Sequence, residues 1–104
     1  MPAVELRIHP AALAEAVAAA EWYSERNPTV AERFERELLG TLERIIEAPL
    51  RWPALDERYR RLRVRRFPYA VIYRVVVDAV RVLAVAHGHR HPDYWKSRED
   101  PGGI

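Results

Sequence analysis

Between residues 60 and 90 the apolar positions fall into three short runs with breaks between them. In 60–67, Leu62 and Val64 alternate with Arg61, Arg63 and Arg65, and Phe67-Pro68 ends the run. Residues 69–77 are rich in β-branched and aromatic side chains, Asp78-Ala79 is a turn signal, and 80–87 is again apolar. Such runs predict an antiparallel meander of three strands. Upstream, Val4, Leu6 and Ile8 alternate with Glu5 and Arg7 until His9-Pro10. That is a short strand with no hairpin neighbour, so it must pair with the distant sheet.

A different period separates these strands. In 11–26, Leu13, Val17, Ala20 and Tyr23 recur at helical spacing, flanked by Ala16 and Trp22. In 29–47, Val30, Phe34, Leu38, Leu42 and Ile45 form a stripe that Leu39 and Ile46 widen. Asn27-Pro28 lies between the two, a cap residue followed by a residue suited to the first helical position. So short a link predicts an antiparallel helical hairpin. Residues 48–55 hold two prolines and Trp52, an ordered return to the sheet with Trp52 as a packing plug. The order is β-α-α-β-β-β, an α+β domain over residues 1–98 with the hairpin laid on one sheet face. Residues 99–104, with Pro101-Gly102-Gly103, are expected to be a disordered tail.

Strand alternation sorts the side chains into two faces. Tyr69, Val71, Tyr73, Val75 and Val77 share one, with Ala70, Ile72, Arg74 and Val76 opposite. Val80, Val82, Ala84 and Ala86 likewise oppose Arg81, Leu83, Val85 and His87. One face packs on the hairpin. The other mixes Arg with Ile72, Leu83 and Val85, more apolar surface than solvation requires, so the protein's own tail or a partner chain should cover it.

Charge sharpens this division. Residues 1–50 carry five Arg against nine acids, a net of −4, and residues 51–104 carry twelve basic residues against six acids, a net of +6. Arg58, Arg60, Arg61, Arg63, Arg65 and Arg66 fall together. The run reads either as a site for phosphate or carboxylate or as an edge strand blunted by charge. There is no cysteine, hence no disulfide or thiolate chemistry. The first ten residues lack a signal-peptide apolar core, and no apolar run approaches the roughly 20 residues that span a bilayer. A cytoplasmic protein with no membrane partner is expected.

Candidate chemistry gathers at the C-terminal end. His87, His89 and His91 recur at a period of two and could line a strand for zinc or nickel. No cysteine or carboxylate spacing completes a ligand set, so neither metal nor cofactor is expected. Arg61, Arg63 and Arg74, with Arg90, His91 and Tyr94, could instead surround a phosphodiester, Arg stabilising charge and His or Tyr moving protons. Arg, Tyr and Trp are equally common anchors for protein partners. No phosphate loop or nucleophile elbow occurs.

The runs RLRVRRFPYAVIYRV and VRVLAVAHGHRHPDYWKSR resemble the RelE/ParE superfamily of toxins from type II toxin–antitoxin systems. The strand ending in HP, the helix closing with EWY, the FERELL helix and the P-xx-WP loop are similar to its ParE-like branch. The resemblance runs to about Arg98 and implies the same β-α-α-β-β-β fold. RelE-like members cut mRNA on the ribosome. Carried over, their catalytic positions would be Arg61, Arg63, Arg90 and Tyr94, with His91 a possible proton carrier. The basic residue those nucleases carry early in the next strand falls at Ala70, which cannot orient a phosphate. ParE-like members instead poison DNA gyrase by binding, with no catalytic residues required, and that is the expected activity, together with growth inhibition and plasmid stabilisation. A ribosome-dependent endoribonuclease, or a non-toxic relative that only binds its antitoxin, are the alternatives. The resemblance also implies a cognate antitoxin whose C-terminal segment wraps the toxin. An acidic-apolar segment would suit the face around Arg63, Ile72, Arg74 and Leu83. Contacts to target or antitoxin are assigned to Arg63, Arg65, Ile72, Arg74, Leu83, Arg90, Tyr94 and Trp95.

Overall fold

The computed structural model describes residues 4–98, so the expected tail at 99–104 lies outside the described residues. Strand β1 (Glu5–Ile8) leads into helices α1 (Pro10–Arg26) and α2 (Pro28–Glu47), followed by strands β2 (Tyr59–Arg63), β3 (Tyr69–Val76) and β4 (Ala79–His87). The sheet order is β1-β4-β3-β2. β2, β3 and β4 form the antiparallel meander, and β1 closes the far edge parallel to β4. Local chemistry sets the helix limits. The His9 Nδ1 accepts the Ala11 N–H at 3.0 Å, and the Asn27 Oδ1 accepts the Thr29 N–H at 3.0 Å. Each satisfies an amide that a helix start otherwise leaves without a partner.

One sheet face lies under the hairpin. Phe34, Ile45, Val71, Tyr73, Val80 and Val82 form its buried centre. Tyr23, Phe34 and Phe67 stack edge-on or tilted at 5.2–5.3 Å between ring centroids. Phe67 reaches this cluster because the chain leaves β2 at Arg63 and turns, with Arg66 in the left-handed region at φ 69°. The first meander strand is therefore shorter than the expected 60–67, and Arg65 sits on a turn. Trp52 packs against the same core and donates its indole N–H to the Arg44 carbonyl at 3.1 Å.

The stripe expected for α1 is corrected in its first half, whereas Ala20 and Tyr23 pack against the core as expected. Leu13 and Val17 are 54% and 49% exposed, while Ala12 and Ala19 are buried. The helix lies against β4 through its smallest side chains, which let the two backbones approach closely. In α2 Phe34 and Ile45 are buried as expected, but Leu39 faces outward. The β3–β4 turn is Val77-Asp78, with Val77 at its exposed tip and Asp78 at φ 67°.

A β-bulge overturns part of the expected register. Tyr73 pairs with Val82 but Ile72 pairs with Ala84, so Leu83 is the extra residue. An inserted residue reverses the alternation beyond it. Ala84 and Ala86 therefore join Ile72 and Leu83 on the second face, whereas Val85, opposite Val71, turns to the helix side. The second face is covered by the protein's own tail. Tyr59, Ile72, Leu83 and Ala84 pack with Trp95, which is 2% exposed. The Trp95 ring meets Tyr59 edge-on at 4.7 Å. The last described residues form a 3-10 turn, Lys96–Arg98.

Candidate anion-binding groove

Alternation on β2 points Tyr59, Arg61 and Arg63 away from the helices, since Leu62 between them packs into the helix-side core. Tyr59 is covered by the tail, and the two arginines stay exposed. Among the described residues neither guanidinium has a hydrogen-bond or ion-pair partner. They form one wall of a groove of about 550 Å³, faced by Arg90, His91 and Tyr94 from the tail. His87 and Tyr69 stand at one end. The groove holds three Arg and two His among its lining residues and no carboxylate. Its floor includes Ala70, which pairs directly with Arg63 and Ala86.

The tail wall is held by one carboxylate. Glu15, on α1, accepts the Tyr94 hydroxyl at 2.7 Å and the two Arg98 Nη groups at 2.8 and 2.9 Å. It also accepts the Val85 N–H at 3.0 Å, and Arg98 donates onward to the Leu83 carbonyl at 3.0 Å. The Glu15 and Arg98 side chains are each 16% exposed. Burial opposes the charge on Glu15, but the hydrogen bonds from Arg98, Tyr94 and Val85 outweigh it and hold its carboxyl below the usual range. Burial and the same carboxylate push the Tyr94 hydroxyl far above its ordinary value. Arg90 lies over the Tyr94 ring at 3.9 Å and Arg98 approaches it at 5.0 Å. Tyr94 is thus fixed as a neutral donor, ill suited to giving up its proton.

The histidines do not line one strand, because β4 ends at His87 and the chain turns at Gly88. The His87 Nδ1 accepts the His89 N–H at 3.0 Å, and the His91 Nδ1 accepts the Asp93 N–H at 3.2 Å. Those nitrogens serve the backbone, and among the described residues no three His, Asp or Glu are placed to hold a metal.

The structure brings together Arg61, Arg63, Arg90, His91 and Tyr94, as the nuclease assignment requires. Arg74 and Arg65 stand apart from them. Arg74 lies towards the other end of β3, opposite Tyr59 and Arg81. Ile72, Leu83 and Trp95 are buried against one another, so the half-apolar face is not open in this chain. Sequence reasoning missed Glu15 and Arg98. The available signal was an acid sharing the alanine face of α1, between Ala12 and Ala19.

This architecture defines a small α+β domain with a basic groove beside a strapped sheet face. A family model described as "ParE toxin of type II toxin-antitoxin system, parDE" matches residues 6–92. The chain is 30% identical over 89 residues to Toxin ParE2 of Mycobacterium tuberculosis, in strains CDC 1551 / Oshkosh and ATCC 25618 / H37Rv, covering 85% of each chain. A solved structure, "Chromosomal ParDE TA system from P. aeruginosa", shares the fold with a TM-score of 0.71 at 17% identity, over 82% of this chain and 96% of that one. The chain belongs to the ParE toxin family of type II toxin–antitoxin systems. No helix among the described residues is long and apolar enough to cross a membrane.

Proposed function

We propose that this toxin acts by binding DNA gyrase and is neutralised by a cognate antitoxin. The observation that carries the reading is the state of the groove. Its floor is Ala70, where a nuclease of the RelE type would need a cation, and the Tyr94 hydroxyl is committed to Glu15. Arginines remain that can recognise, but Tyr94, one of the two candidate proton-moving groups beside His91, is tied up. Family membership supports gyrase as the target, and the ParDE title of the related structure supports an antitoxin partner. Arg63, Arg65, Arg74 and Arg90 are the basic contacts proposed for target or antitoxin. A partner reaching Ile72, Leu83 or Trp95 must first lift the tail.

The test is gyrase supercoiling and DNA cleavage with the purified chain. Loss of supercoiling with accumulation of cleaved gyrase–DNA complexes is expected. Unchanged gyrase at saturating toxin rejects the reading. A second reading, ribosome-dependent mRNA cleavage, is favoured by the meeting of Arg61, Arg63, Arg90 and His91 in one groove. Intact mRNA on programmed ribosomes excludes it.

A further inference from the structure

The sheet has two edges, and they are finished differently. On the β2 edge the loop after α2 lies alongside the strand. Leu55 donates its N–H to the Tyr59 carbonyl at 2.8 Å, Arg61 donates its own to the Pro53 carbonyl at 3.1 Å, and Ala54 bridges to Arg60. The β1 edge has no such cover: among the described residues β1 pairs with β4 alone. Glu5 and His9 turn their N–H groups inward, to the carbonyls of Asp78 at 3.1 Å and Val82 at 2.9 Å. By alternation Leu6 and Ile8 turn their N–H and C=O groups to the open side. Natural edges are commonly blunted by a proline, a bulge or an unpaired charge. β1 carries no proline, its register with β4 is unbroken, and its one cation, Arg7, is bonded to Glu5 of the same strand at 3.0 and 3.2 Å. On the helix side Val4 and Ile8 flank Leu6 and are 36% and 38% exposed.

We infer that β1 docks antiparallel on β1 of a second copy of this chain, joining two four-stranded sheets into one continuous sheet. The charges select the register. With Leu6 opposite Leu6 of the second copy, Glu5 faces the second copy's Arg7 and Arg7 its Glu5, while Val4 and Ile8 face each other. In that register Leu6 and Ile8 exchange the hydrogen bonds that β4 does not use. Glu5 and Arg7 fall in the non-hydrogen-bonded positions, where facing side chains come closest. Sliding by two residues either way sets Glu5 against Glu5 or Arg7 against Arg7, which opposes pairing. The same strand that neutralises itself in one chain is therefore complementary to its own copy. The pairing also closes. Once β1 meets β1, both outer edges of the joined sheet are β2, and each is covered by its loop, so a dimer forms rather than a growing array. A strand of a different protein could take the same edge, but it would have to bring the charge order that a second copy already has. So short a pairing predicts a weak dimer, in the micromolar range. The inference is independent of the gyrase reading, because it concerns the full chain alone.

Sedimentation velocity of the full chain from micromolar to near-millimolar concentration provides the test. Wild type should pass from monomer to dimer. E5R and R7E, each made singly, set like charges opposite at both symmetry-related crossings and should weaken association at least about 10-fold. An equimolar mixture of the two variants restores opposite charges at both crossings and should associate as wild type does. Both residues are exposed, and unchanged circular dichroism confirms that the variants fold. Amide exchange at Leu6 and Ile8 should slow as the wild-type concentration rises, with Arg7 unaffected because its amide already faces β4. A monomer at every concentration overturns the inference and leaves the edge to a strand of another protein. A dimer indifferent to both charge reversals overturns it in favour of another face, and so does a mixture that fails to restore association.

Discussion

The two faces of the sheet are held by different means. The helix-side face is covered by two helices of 17 and 20 residues, and its centre is a continuous packing of Phe34, Ile45, Val71, Tyr73, Val80 and Val82. The tail-side face is covered by a few residues after Pro92, with Trp95 inserted and Glu15 gripping Tyr94 and Arg98. One is secured by many interchangeable contacts, the other by one ring and one carboxylate. Stability therefore belongs to the first face, and conditional behaviour to the second. The basic groove lies where the second face meets solvent, so its shape depends on the weaker attachment.

The largest effect should come from breaking the first face. Val71 is fully buried, and Val71→Asp places a carboxylate where no partner exists, at a cost of about 4 kcal/mol or more. The cooperative thermal transition followed by circular dichroism should disappear. Trp95→Ala removes the ring that fills the second face and should cost about 3–5 kcal/mol if the tail unfolds only together with the rest. If the tail opens separately, the measured loss of global stability is smaller. Near-ultraviolet dichroism then changes while the far-ultraviolet spectrum stays. The contrast between the faces favours this second outcome.

Glu15→Ala should cost about 2–3 kcal/mol, because it strips the Arg98 guanidinium of its carboxylate partner and leaves the Val85 amide without its acceptor. A double-mutant cycle with Arg98→Ala should return a coupling of about 1.5–3 kcal/mol, with additivity counting against a direct grip. The pH dependence follows in sign. The folded Glu15 carboxyl is held below its usual range, so its contribution is full above about pH 4.3 and is lost as pH falls through the lowered value. Wild type should lose stability on acidification faster than Glu15→Gln, with urea midpoints across pH 3 to 5 as the measure. Arg61→Ala and Arg63→Ala should change stability by no more than about 0.5 kcal/mol, since both side chains are exposed and unpaired among the described residues. A larger loss would mean that the groove wall is structural rather than a recognition surface.

Much of the first face was legible in the sequence. Period-two runs, the α2 stripe and the Asn27-Pro28 stop carry their own local signal, and five of the groove's polar side chains followed from strand register and position near Gly88. What escaped has a physical reason in each case. The α1 stripe misled because an alanine-rich helix offers little contrast between faces, and Leu13 and Val17 drew attention from the alanines that touch the sheet. The bulge at Leu83 sits inside an unbroken apolar run, where the hydrophobic pattern does not record which residue is inserted. Glu15 lies 79 residues from Tyr94 and 83 from Arg98, and no local spacing announces such a pairing.

The most direct test of this two-face account is amide hydrogen exchange of the full chain, wild type against Glu15→Ala. The account predicts faster exchange in the substituted chain at residues 94–98, where Tyr94, Lys96 and Arg98 donate their amides to the tail's own turns, and at the released Val85 amide. Protection across α2 and the centre of β3 should change little. Uniform loss of protection over both faces would contradict the account, and so would a tail whose exchange ignores the loss of Glu15.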